Sequence, residues 1–431
     1  MDRTIDSVLK SRLCTGCGAC IGLCPNQALE LTLDHEKGIF LPKLNKEKCT
    51  RCSICYQVCA GSKIDFELLN EDIFGKKPEN VILGNYLNCY TGHAADSSIR
   101  YKSASGGIVT QLLLFALEAE VIDGALVARM KRNDPLKPEC FIAKTKNEII
   151  EASGSRYCPV PTNVLIRKIV DDDGRFAVVG LPCHIHGVRK AELINKKLKE
   201  KIVLHLGLFC HHVPSFHATE LLLQRLGIRK NEIAELQYRG EGWPGSMKIL
   251  LKGGAKKTLP YQRCWDFLGL DFFIPARCLV CSDGLNELAD LSCGDAWLPE
   301  FSNDSLGTSI LLSRNNVSEG LLKKAVLAGR LELDSIPPQK VIQSQLGMLY
   351  FKKNVETRIR WLRRKIEYSN SLEPSASDYL YSLFVCMANY IFSKQALRQR
   401  LGLLPMEVFY AYAFARNMFA RKERIRRVAC I

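Results

Sequence analysis

Cys14-Thr-Gly-Cys17-Gly-Ala-Cys20-Ile-Gly-Leu-Cys24-Pro25 is followed, after a short connection, by Cys49-Thr-Arg-Cys52-Ser-Ile-Cys55-Tyr-Gln-Val-Cys59. Both runs carry the C-x2-C-x2-C-x3-C spacing of a bacterial two-cluster ferredoxin. Three thiolates at this spacing wrap one face of a 4Fe-4S cube, and the fourth cysteine of each run reaches the other cube. The spacing predicts one cluster on Cys14, Cys17, Cys20 and Cys59, and a second on Cys49, Cys52, Cys55 and Cys24. Zinc would favour two C-x2-C pairs and needs no third cysteine three residues further on. A disulfide framework suits a small secreted domain, and no signal peptide is expected at the start of this chain. Pro25 follows the first run but Ala60 follows the second, so the turn after Cys59 is expected to differ while the cluster is kept.

Working outward, 431 residues leave room for two or three domains with a core that needs no covalent staples. Eight of the 19 cysteines are used above. So many further thiols beside iron–sulfur ligands imply a reducing compartment, and a cytoplasmic protein is expected. The net charge of +15 is uneven: residues 345–431 hold 16 Lys and Arg against 6 Asp and Glu. Such an extension points to an anionic surface or an acidic partner. Nucleic acid is not expected, because the charges lack an interleaved aromatic platform and no helix-turn-helix or zinc-finger spacing occurs.

The ferredoxin-like module should end near residue 65, with β-prone segments at 28–33 and 39–41, and residues 66–90 read as a linker. Ser105-Gly106-Gly107 then opens a strongly helical run from Ile108. A turn of this kind presents backbone N–H groups and a positive helix end suited to phosphate, and equally serves as a plain N-cap. Strands are expected at 121–128, 175–180 and 201–210, with helices between them, which describes an α/β domain. Two of these strands lead into Cys183 and Cys210, at the strand ends where α/β sheets place ligands. Residues 231–262 read as a β-rich excursion.

Cys278-Leu-Val-Cys281 is ambiguous on its own between zinc, a redox pair and cluster ligation. With Cys183 and Cys210 it supplies four thiolates, the number for a third 4Fe-4S cluster; ordinary buried cysteines are the alternative. Tyr379–Phe392 is apolar but short for a membrane span, and Leu403–Phe414 is aromatic-rich and followed by a basic run at 421–427. Packed or interfacial helices are expected here.

In order along the chain, the paired cysteine runs, Ser105-Gly106-Gly107, Ser155-Arg156-Tyr157, Gly180-Leu-Pro-Cys183, Gly207-Leu-Phe-Cys210, Arg239 with Gly242-Trp243-Pro244-Gly245, Cys278-Leu-Val-Cys281 and Gly294-Asp295-Ala-Trp297 resemble the beta-subunit family of coenzyme F420-reducing hydrogenases and dehydrogenases. The resemblance spans residues 10 to 310 or so. It implies FAD in the α/β domain, with Ser105, Gly106, Gly107, Ser155, Arg156 and Tyr157 against it and Arg156 countering its pyrophosphate. It also implies that Cys183, Cys210, Cys278 and Cys281 hold a cluster close to the flavin, with Cys293 a passenger or alternative ligand. Asp295 and His184 are the candidate catalytic residues. The expected architecture is α+β: a two-cluster ferredoxin-like module (1–65), a linker (66–90), an α/β FAD and iron–sulfur domain (91–344) and a basic helical extension (345–431). The implied function is an oxidoreductase passing electrons between clusters and FAD and on to a small-molecule or carrier-bound substrate, such as a deazaflavin hydride acceptor. The alternative is an electron-transfer subunit of a larger complex. An electron donor or acceptor protein is the expected partner. Similar proteins accompany bacterial surface-polysaccharide synthesis, and the basic extension resembles theirs, which implies peripheral contact with the inner face of the membrane.

Overall fold

A computed structural model of the chain describes residues 4–364, 366, 368–420 and 425. The N-terminal cysteine runs bracket an antiparallel hairpin of β1 (Leu29–Asp34) and β2 (Ile39–Leu44), paired from Leu29 with Leu44 to Asp34 with Ile39. Each run carries one short helix, Ala19–Gly22 and Ile54–Gln57.

The stretch expected as a linker is structured. Asp65 accepts from the Leu68 N–H and caps the helix Phe66–Phe74, which Gly75 ends with a left-handed φ of 70°. Asn70 and Asn85 are buried and hydrogen-bonded to each other at 2.9 Å. Arg314 holds the Leu83 and Asn85 carbonyls at 2.8 and 2.6 Å. The main sheet then begins inside the expected linker, at β3 (Asn88–Ala94).

Next come β4 (Gly124–Met130), β5 (Pro138–Ala143), β6 (Phe176–Gly180) and β7 (Ile202–Leu208). The excursion forms its own antiparallel sheet from β8 (Ile233–Gln237), β9 (Ser246–Leu251) and β10 (Lys256–Pro260), within the expected 231–262. The main sheet is completed by β11 (Leu291–Asp295), β12 (Ser309–Ser313) and β13 (Leu331–Ser335). Its eight strands run β13-β3-β12-β11-β7-β6-β4-β5. The neighbours β4, β6, β7 and β11 are parallel, and antiparallel strands flank them on both sides. Phe176-Ala-Val in β6 is fully buried because helices cover both faces of a parallel sheet. Since β6, β7 and β11 point the same way, Cys183, Cys210 and Asp295 gather at one edge of the sheet.

The extension is mostly helical, as expected, but it is not separate. Leu349, Tyr350, Phe351, Tyr381 and Val385 share one apolar core with Ile274, Ile310 and Leu312. Among the described residues no helix is long and apolar enough to cross a membrane. Apart from Ile425, the basic run at 421–427 lies outside the described residues.

Candidate functional site

Each ferredoxin-type set lines a cavity of its own. Cys14, Cys17, Cys20 and Cys59 line one small cavity, together with Gly16, Gly18 and Pro42. Cys24, Cys49, Cys52 and Cys55 line another. Backbone donors already point at the sulfurs: Gly16 N–H to Cys14 Sγ at 3.4 Å, Ala28 N–H to Cys24 Sγ at 3.2 Å and Gly61 N–H to Cys59 Sγ at 3.2 Å. Among the described residues no three His, Cys, Asp or Glu side chains could hold a single metal ion; the thiols of each set surround a volume. Burial, with neighbouring Cys17 adding to it, raises the Cys59 thiol to about 11. Thiols so disfavoured as free anions suit a group that binds them as thiolates.

The sets differ in exposure. Cys14, Cys17, Cys20 and Cys59 are all buried, whereas Cys52 is exposed and Cys49 and Cys55 are half-buried. The buried set packs against the α/β domain. Asn163 N–H donates to the Cys17 carbonyl at 2.9 Å, and Lys190 Nζ to the Cys59 carbonyl at 2.8 Å. Gly187 lies on the helix Pro182–Glu192, and a methyl built there would sit 3.7 Å from Cys17 Sγ.

The same helix carries Cys183, whose buried thiol is acted on by Cys17, Cys210, Cys278 and Cys281. The four cysteines of the expected third set are therefore brought together. Burial pushes the Cys210 thiol up to about 12. Burial also acts to raise Cys281, but the Lys352 and Arg277 cations outweigh it and leave that thiol lowered. Cys293 lies on β11, where burial and Asp295 raise it to about 12.

Cys210 and Cys293 also line the large cavity of the molecule, about 800 Å³. Its walls include Ser105, Gly107, Ser155, Arg156, Tyr157, His184 and Asp295. Gly106 is not among them. Its N–H is taken by Ser309 Oγ at 3.1 Å, and a methyl there would meet the Gly92 carbonyl at 2.6 Å. This glycine packs β3 against β12, whereas Ile108, Val109 and Thr110 of the first turn of Ile108–Glu118 line the cavity. Arg156 also departs from expectation. Its Nη1 donates to the carbonyls of Ala152 and Gly154 at 2.6 and 2.7 Å, so it braces its own loop.

His184 is fixed. Its Nδ1 accepts from the Leu181 N–H at 3.2 Å, and it also bonds to the Val160 backbone. Burial lowers its pKa to about 4, which keeps the ring neutral at physiological pH. Asp295 lines the cavity as the centre of a charge pair: Arg239 Nη2 and Nη1 donate to its two oxygens at 2.7 and 3.0 Å, and Trp243 Nε1 donates at 2.8 Å. The Arg239 guanidinium lies 4.2 Å from the Tyr261 ring centroid. Tyr261 stacks between Trp265 and Trp297, at 5.8 and 5.9 Å. Tyr261 and Trp265 carry no motif spacing and are missed by sequence reasoning. Lys352, embedded in what reads as a basic tail, is missed for the same reason.

These features define an iron–sulfur protein with a cofactor-sized cavity at the carboxyl edge of a mixed sheet. A 4Fe-4S dicluster domain matches residues 13–61, and coenzyme F420 hydrogenase/dehydrogenase beta-subunit N-terminal and C-terminal regions match 89–167 and 173–339. The chain belongs to this beta-subunit family. It is 28% identical over 276 residues to the coenzyme F420 hydrogenase subunit beta of Methanothermobacter thermautotrophicus, covering 62% of this chain and 90% of that one. It is 26% identical over 372 residues to the coenzyme F420-dependent sulfite reductase of Methanocaldococcus jannaschii, covering 82% and 52%. A chain of the F420-reducing [NiFe] hydrogenase complex from Methanosarcina barkeri shares the fold, with a TM-score of 0.53 and 24% identity over 67% of this chain and 98% of that one.

Proposed function

We propose that the protein is an iron–sulfur flavoprotein oxidoreductase that passes electrons between a protein carrier and a substrate in the large cavity. The observation that carries this reading is the order of the three cysteine sets. The set with exposed Cys52 neighbours the buried set, where the Cys20 thiol feels Cys55; Cys183 feels Cys17, and Cys210 lines the cavity. This is a line from surface to cavity.

When bound, 4Fe-4S clusters carry single electrons, and FAD couples single-electron steps to hydride transfer. The chain's part is to hold and insulate them. Cys14, Cys17, Cys20 and Cys59 would hold one cluster, Cys24, Cys49, Cys52 and Cys55 the outer one, and Cys183, Cys210, Cys278 and Cys281 the inner one. The first turn of Ile108–Glu118 with Ser105, Gly107 and Ser155 would receive the FAD phosphates. Tyr157, Tyr261, Trp265 and Trp297 would keep water from the reacting end, and Arg239 would present its charge there. His184, neutral and hydrogen-bonded, would serve as wall. The names of the relatives point to a deazaflavin as the hydride partner. They also name subunits of complexes, which supports the second reading, an electron-transfer subunit with no substrate of its own.

Iron, sulfide and extracted flavin per chain, measured on anaerobically purified protein, test the reading. About twelve irons with about one FAD are expected. Iron with no flavin, even after reconstitution, would refute the hydride step. Turnover of an acceptor by the isolated chain with dithionite as reductant would separate the enzyme from the bare subunit.

A membrane contact has its own support. Leu380, Met387 and Tyr390 on the helix Ala376–Ser393, and Phe414 and Met418 on Met406–Phe419, are exposed apolar side chains in a basic region. Flotation with anionic liposomes should be lost on replacing Phe414 and Met418 by glutamate; equal flotation would end the idea.

A further inference from the structure

The helix Leu346–Lys353 ends on two buried lysines with different surroundings. Lys353 Nζ pairs with Glu287 Oε1 at 2.6 Å and donates to the Asn370 carbonyl at 3.0 Å. Lys352 is 1% exposed; burial acts to lower its amine, but the Cys281, Cys210 and Cys278 thiols prevail and raise it. Its stem is wedged against the loop that follows Cys281, where a methyl built on Gly284 would lie 3.1 Å from Lys352 Cγ. The other cation near this set, Arg277, spends its donors on the Ala60 and Val280 carbonyls at 3.0 to 3.4 Å. Lys352 is thus a buried amine brought by the C-terminal extension to three thiols that lie far from it in sequence.

We infer that Lys352 is a positioning charge that raises the reduction potential of the inner cluster held by Cys183, Cys210, Cys278 and Cys281. The inference rests on the proposed third cluster and goes beyond it. A cluster on four thiolates carries a net negative charge, and reduction adds one electron with no proton. A buried cation beside the thiols, away from water, favours the more negative state. Electrons supplied by the carrier protein are thereby drawn inward to the site that adjoins the cavity. The extension, on this reading, is part of the redox machinery.

The test is a redox titration of the full chain, followed by electron paramagnetic resonance, on the wild type and on Lys352→Met, Lys352→Gln and Lys352→Arg, with iron counted in each. The inner signal should titrate at lower potential in both neutral variants, the two N-terminal signals should not move, and Lys352→Arg should stay close to wild type. If the neutral variants alone lose about four irons, the charge is needed to hold the cluster, which supports the same role. An unmoved inner potential, an equal shift of all three signals, or iron loss in Lys352→Arg as well would overturn it. A wild type with about eight irons would remove the third cluster itself, a failure visible before any variant is made.

Discussion

Replacing Asp295 by asparagine separates a catalytic carboxylate from a structural one. In the structure its oxygens accept from Arg239 twice and from Trp243 once, at 2.7 to 3.0 Å. The Arg239 side chain is 2% exposed and that of Asp295 19%. Asparagine keeps one acceptor oxygen and loses the charge, so up to two charged hydrogen bonds go, at about 1.5–3 kcal/mol each. Stranding a buried cation costs about 3–5 kcal/mol, and the partial exposure of Asp295 argues for the lower end, about 3 kcal/mol. Urea unfolding should show that loss together with weaker retention of the proposed flavin, because Arg239 also packs on Tyr261. A double-mutant cycle with Arg239→Met should return a coupling of about 2–3 kcal/mol. A variant as stable as wild type, with its flavin retained and turnover abolished, would refute this and return Asp295 to the chemistry.

His205 bridges Glu192 at 2.7 Å and Asp290 at 3.0 Å, beside Arg189. Burial and Arg189 act to lower its pKa, yet the two carboxylates prevail and raise it above 6.5. Its stabilising charge is therefore fully present below about pH 6.5 and lost as pH rises through the raised value, so the stability gap between wild type and His205→Gln should be about 3 kcal/mol near pH 6 and shrink steadily as pH is raised. Glu192, held below its ordinary range, works in the opposite sense, and its contribution fades as pH falls through that range. Gly106→Ala should cost about 1–3 kcal/mol in urea unfolding, since the added methyl meets backbone at 2.6 and 2.7 Å. Cys210→Ser should remove about four irons and leave about eight, whereas loss of all iron would show that the sets do not load independently.

The cysteine spacing made the N-terminal module legible, because ligand geometry leaves little freedom in the chain between thiols. The apolar runs of β6 and β7 and the three strands of the excursion were readable for a similar local reason. The β3 strand, Asn88-Cys-Tyr-Thr-Gly-His-Ala, was not: its small and polar residues resemble a linker, and what makes it a strand is pairing with β12 and β13, more than 200 residues away. Gly106 and Arg156 were placed in the right neighbourhood but with their donors misdirected, since the partners that claim them are backbone groups and Ser309. Lys352 looked like one charge among many in a basic extension. Only the packing of Leu349, Tyr350 and Phe351 into the core turns it inward.

That distant pairing of β3 also sets a timetable for synthesis. At about 5–20 residues per second, roughly 15 to 55 s separate the appearance of Cys59 from that of Ser335, the end of β13. The eight N-terminal thiols leave the ribosome well before the sheet can close and before the helix Pro182–Glu192 can cover Cys17. For that interval even Cys14, Cys17, Cys20 and Cys59, buried in the folded chain, face dissolved oxygen and iron donors unshielded. The oxygen level while the chain is being made then bears on how many of these four thiols stay reduced long enough to bind iron.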